Sequence, residues 1–171
     1  MLSSNYKEEI FAKLRKKAEE YLQISGNCAQ TSFLALQEVL ELEDGAILKA
    51  LTPFPGVALR GETCGAVVGS LMALGLVFGR DRDKLDDWSA YQSSLRPSRR
   101  FCRAFEKEFG STMCGDIVEK EFGKRYNLAD PAESMEWMSL GIIDKCGPVI
   151  VKAVCIAAEI ILANEDLFHP M

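Results

Sequence analysis

Six cysteines and a single histidine set the chemistry open to this 171-residue chain. One imidazole excludes a histidine-rich metal site and leaves little room for a Cys–His pair or a Ser–His–Asp arrangement. Any reactive site must therefore be built from sulfur. Four of the thiols share a position type. Cys28 follows Asn27 and Cys64 follows Thr63, so each is expected to open a helix behind a capping residue. Cys114 lies within a turn of Ser111 and Thr112, and Cys146 stands immediately before Gly147–Pro148, where proline favours a helix start. A helix N-terminus offers unsatisfied N–H groups and about half a positive charge, which would stabilise a thiolate and lower its pKa. The same amides can hydrogen-bond to the sulfurs of an anionic metal–sulfur cluster. Four helix starts that meet would place activated sulfurs at one point.

The alternative for any cysteine is packing, since a free thiol behaves as a small hydrophobe. Cys102 and Cys155 read that way. Both lie inside helical patterns, and VKAVCIAAEII has the look of a buried helix face. The other four are separated by 36, 50 and 32 residues, with no CxxC pair, so spacing lends no support to a zinc finger.

Composition limits the setting. Twenty basic residues against twenty-five acidic ones give a charge of −5, which argues against a nucleic-acid binder. A hydrophobic fraction of 48% and a mean hydropathy of +0.01 suit one globular domain over residues 1–171. The opening segment MLSSNYKEEIFAKLRKK lacks the apolar core of a signal peptide. The most apolar run, Ala66 to Phe78, falls short of the span of about 20 residues that crosses a bilayer. The expectation is a cytoplasmic protein with no membrane partner, where a disulfide framework is not expected.

The elements that must position the cysteines read as helices almost throughout. Ile10, Phe11, Leu14, Ala18, Tyr21 and Leu22 recur at helical steps between Tyr6 and Ile24, and Gly26 is a natural stop. A second helix is expected from Cys28 to about Leu42, then a short turn near Gly45–Leu51. FPGVALRGET is expected as a loop, because its prolines and glycines stop both helix and strand. Thr63 would cap an apolar helix from Cys64 to Phe78, closed by Gly79. Its Gly65, Gly69 and Ala73 recur at four-residue steps and would let another backbone approach. Further helices are expected from Trp88 to Phe109, with Pro97 kinking or dividing it, from near Cys114 to Phe122–Gly123, from Pro131 to Leu140, and from Val149 to Ala163. Strand signals are nearly absent. The fold expected is all-α, a single-domain bundle of about five to seven helices around a buried glycine-rich central helix.

Three other features carry weaker signals. Glu62 could steer a proton or ligate a metal, although a helix-end role suits it better. Arg96, Arg99, Arg100 and Arg103 recur at helical steps and could meet an anion or an acidic redox partner, or simply form a solvated face. Cys102 sits within that basic run, where its pKa would be depressed. His169, near the end of the chain, reads as mobile.

NCAQ around Cys28, GETCGAVVGSLMALGLVFGR around Cys64, FGSTMCGDIV around Cys114 and KCGPVIVKAVCIAAEII around Cys146 together span about residues 6–163. In order and spacing they resemble the redox-active bacterial and archaeal family that takes its name from the cysteine pattern C–GCAxxG–C–C. The resemblance implies that Cys28, Cys64, Cys114 and Cys146 act together as ligands or redox thiols. A related segment occurs in the split-Soret type of cytochrome c, where it is associated with an iron–sulfur cluster. The haem does not carry over, because this chain has no CxxCH. The expected function is redox: an iron–sulfur cluster, or thiol–disulfide cycling, in electron transfer to a redox protein partner, with a homodimer as a further expectation. The alternative is a carrier or sensor of a soft metal such as zinc or copper, held by the same thiolates.

Overall fold

The computed structural model describes residues 4–43 and 46–164. Among them there is no strand, only an isolated bridge between Thr63 and Met113. The helices are α1 (Ser4–Ser25), α2 (Cys28–Val39), α3 (Ile47–Ala50), α4 (Gly56–Leu59), α5 (Gly65–Phe78), α6 (Trp88–Phe109), α7 (Cys114–Phe122), α8 (Pro131–Met138) and α9 (Ile142–Leu162). The bundle is all-α, as its periodicities require. No helix among the described residues is long and apolar enough to cross a membrane. His169 lies outside the described residues, as does part of the turn expected at Gly45–Leu51.

Helix α5 is the axis of the bundle. Gly65, Ala66, Val67, Val68, Gly69, Ser70, Ala73 and Leu74 are all buried, and α2, α6 and α9 pack around it. Gly65 and Gly69 face α2. A Cβ on Gly69 would stand 2.2 Å from the Ala29 carbonyl oxygen, and one on Gly65 would stand 2.3 Å from Cys28 Sγ. The two backbones therefore touch where the four-residue small stripe allows it. Helix α1 lays Ile10, Leu14, Ala18 and Leu22 on α2 and α9.

Three boundaries differ from the sequence pattern. Helix α6 runs unbroken through Pro97. Helix α9 begins seven residues before Val149, at Ile142, and carries Pro148 inside it. That proline removes one N–H and leaves the Asp144 carbonyl without its usual partner. The segment FPGVALRGET is not an open loop but holds α4, one left-handed turn. Gly56, Val57, Ala58 and Leu59 have φ of 52°, 48°, 58° and 59°, and the turn closes through Arg60 N–H to Gly56 O at 3.1 Å.

A second, smaller apolar cluster stands apart from the main core. Val118, Tyr126 and Leu128 are buried together, with Phe122 and Trp137 packed against them. Trp137 belongs to α8, which has no fully buried residue of its own.

Candidate functional site: a cavity ringed by four cysteines

Each of the four cysteines reaches the site by a different local device. Asn27 caps α2: its side chain accepts from the Ala29 and Gln30 amides at 3.1 and 3.0 Å and donates to the Thr52 carbonyl at 3.1 Å. Cys28 is thereby fixed as the first helical residue, beside Gly65. Cys64 is the N-cap of α5 itself, one place outside the helix it was expected to open, and Thr63 does not cap it. The segments around Thr63 and Met113 are strapped together by an isolated bridge. Cys64 N–H donates to Thr112 O at 2.8 Å, Cys114 N–H to Glu62 O at 2.7 Å and Gly115 N–H to Gly61 O at 2.9 Å. These bonds set Cys64 and Cys114 side by side, although 50 residues separate them. They also give Glu62 its visible role, which is to lend a backbone carbonyl.

Cys114 opens α7 behind Met113, with Ser111 Oγ accepting from the Met113 amide at 3.0 Å rather than capping the helix. Gly56 fits against it, since a Cβ there would lie 3.3 Å from Cys114 Sγ. Cys146 corrects the expectation of a fourth helix start. It lies in the second turn of α9, beyond the reach of the N-terminal dipole, because the helix begins at Ile142.

All four sulfur-bearing residues line one cavity of about 520 Å³. Leu22, Ile117, Val149 and Ile150 of the main core form one part of its wall, and Val118, Leu128 and Trp137 of the smaller cluster form another. Ala58 and Leu59 of the left-handed turn complete it. Neither Cys102 nor Cys155 lines the cavity; both are half-buried on their helices.

The electrostatics invert the expected lowering of the thiol pKa values. Burial pushes Cys28 well above its ordinary range, and Cys64, Cys114 and Cys146 add to the rise. Burial likewise raises Cys114 to about 12, with Cys64 and Cys146 contributing. Cys146 also rises to about 12, from burial and then from Cys64 and Glu121. Cys64 is raised by burial and pulled back by the Ala66 and Val67 amides, although neither makes a regular capping hydrogen bond. The half charge of a helix end is outweighed by desolvation and by repulsion among neighbouring thiolates. Cys102 is corrected too. Burial and Glu106 raise its pKa, and the surrounding arginines do not depress it.

Two features escaped the sequence pattern. Trp137 lines the cavity, and its indole Nε1–H is buried with no acceptor. The left-handed turn is the other: nothing in Val57-Ala58-Leu59 favours positive φ.

Among the described residues, no group of three or more His, Cys, Asp or Glu side chains is placed to hold a single metal ion. Fold and site together define an all-helical protein with a four-thiol cavity between two apolar clusters. The model of the family described as "Putative redox-active protein (C_GCAxxG_C_C)" matches residues 26–160, and the chain belongs to that family. An uncharacterized protein of Archaeoglobus fulgidus is 31% identical over 111 residues, covering 61% of this chain and 74% of its own. No solved structure matches the chain.

Proposed function

We propose that the chain is an electron-transfer protein whose Cys28, Cys64, Cys114 and Cys146 sulfurs hold an iron–sulfur cluster. Family membership supports a redox role. The observation that carries the finer reading is convergence: four cysteines spread over 119 residues of chain line one largely apolar cavity. Their donor set suits such a cluster, which takes thiolate ligands. Repulsion among four thiolates round one cavity is relieved by a cation placed among them, the reverse of the pKa logic that holds without one. Sulfurs spread round a cavity, with no three placed for one ion, favour a multi-atom group over the mononuclear zinc or copper site of the carrier reading.

A cluster would supply one-electron transfer. The chain's own residues do the rest: Leu22, Ile117, Val149 and Ile150 keep water from the sulfurs, and the Ala66 and Val67 amides favour charge on Cys64. Arg96, Arg99, Arg100 and Arg103 are exposed on α6 with no ion pair among the described residues, a face suited to an acidic redox partner. Thiol–disulfide cycling is the second reading, favoured by four free thiols facing one cavity.

Anaerobic purification with a visible spectrum, metal analysis and acid-labile sulfide assay tests this. Iron with sulfide is expected, lost in Cys64→Ser and kept in Cys155→Ser. Zinc or copper without sulfide would establish the carrier reading instead. No metal with a reversible disulfide would establish thiol cycling. Equal loss of iron in the Cys64 and Cys155 variants would overturn the division of the cysteines.

A further inference from the structure

Helix α6 carries an apolar stripe that the bundle only half uses. Trp88, Tyr91, Leu95, Cys102, Phe105 and Phe109 recur at alternating steps of three and four, broken only at Ser98. A period of 3.5 residues keeps one seam turned toward a partner helix along its whole length. The C-terminal half of the seam is covered: Phe105 is fully buried, and Cys102 and Phe109 pack on the main core. Among the described residues the N-terminal half is not. Trp88, Tyr91 and Leu95 belong to neither apolar cluster, and Trp88 is 68% exposed. The cause is length. Phe78, the last residue of α5, and Ile160, in the last turn of α9, share a hollow with Arg96, Pro97 and Arg100. Both helices therefore end beside Pro97, and α6 extends about 14 Å beyond them toward Trp88. No residue from Gly75 to Arg100 is buried.

Charge is sorted along this arm. Asp86 and Asp87 stand at its tip, Trp88 to Leu95 carry no charge, and Arg96, Arg99 and Arg100 follow. Asp87 spends its carboxylate on the Ala90 amide at 2.9 Å. Asp86 and the three arginines form no ion pair among the described residues. Trp88 and Tyr91 lie against each other, with ring centroids 5.1 Å apart, and the Arg80 guanidinium sits 4.8 Å over the Tyr91 ring. The aromatic pair is thus held in place before any partner arrives. We propose that a second copy of this chain covers the stripe, the two α6 arms pairing antiparallel about a two-fold axis near Gln92. That pairing sets Asp86 of each copy beside Arg96 and Arg99 of the other, whereas a parallel pairing would set arginine against arginine. A two-fold contact uses one self-complementary patch twice. The arm and the turn before it offer about 20 residues, the size of one side of a stable interface. The proposal concerns assembly and does not need the cluster. It gives Arg96 and Arg99 their acidic surface and leaves Arg100 and Arg103 to a redox partner.

Sedimentation equilibrium of the full chain, purified anaerobically, is expected to show a dimer. Asp86→Lys and Arg99→Glu should each weaken it about tenfold, because each substitution counts twice in a two-fold contact. An equimolar mixture of the two variants should restore the dimer, since each altered charge then meets its opposite. Trp88→Ser should weaken the dimer at least as much. All three positions are exposed, so the helical content seen by circular dichroism should not change. A monomeric wild-type protein would overturn the proposal, whether residues 165–171 or another protein then covers the stripe. A dimer indifferent to all three substitutions would overturn it as well. Dissociation of both charge variants with no recovery on mixing would overturn the antiparallel pairing. Iron and sulfide are measured on the same samples, so failure of the cluster reading is seen separately from failure of this one.

Discussion

Close packing at Gly69 shows what a single residue decides here. A methyl group at that position would meet the Ala29 carbonyl oxygen at 2.2 Å, a contact only a backbone shift can relieve. Gly69→Ala should therefore cost about 2–3 kcal/mol in denaturant melts, despite the better helix propensity of alanine. An unchanged midpoint would mean that α2 and α5 do not touch there. Ser70, next along the helix, is the opposite case. Its hydroxyl is fully buried without a partner, so Ser70→Ala should stabilise the fold by about 1 kcal/mol in the same assay. The small stripe Gly65, Gly69 and Ala73 was legible in the sequence because its spacing is local. The raised thiol pKa values were not. They depend on burial and on sulfurs more than thirty residues away.

At the scale of the element, most helices follow from periodicity and caps. Helix α6 has the expected bounds, and α2 starts where Asn27 places it. The failures lie where tertiary contacts override a local signal. Gly147–Pro148 looked like a helix start, yet Ile142 to Leu162 is one helix because the bundle tolerates one missing N–H. The turn α4 is the strongest case. Val57, Ala58 and Leu59 hold left-handed φ values, which for non-glycine residues cost about 1–2 kcal/mol each. Ala58 lines the cavity beside Leu59 and is held by its N–H to Pro53 O at 2.7 Å. Strain of this kind gathers at ligand sites. Ala58→Gly should raise the melting temperature, with a net gain of about 0.5–1 kcal/mol after the entropy of an added glycine. A loss of stability would show that the turn is not left-handed.

The whole molecule divides unevenly. Helices α1, α2, α5, α6 and α9 share one large core, to which α7 adds Ile117, whereas Val118 of α7 and Trp137 of α8 belong to the small cluster with Tyr126 and Leu128. The cavity lies between the two. Because α8 buries no residue fully, and Met135 and Met138 are exposed, it should open at far lower free energy than α5. Amide hydrogen exchange should therefore be faster in α8 than in α5. Equal protection would show one cooperative unit.

Sequence by itself determined the helical class, the central apolar helix, the caps that fix Cys28 and the grouping of four cysteines by family pattern. These follow from signals within a few turns of chain or from pattern order. Only the tertiary structure decided that the four share one cavity, that Cys146 enters from inside a helix, and that Trp137 lines the same cavity. The physical reason is range: a cap or a stripe acts over one or two turns, whereas a cavity is the space left when helices distant in sequence meet.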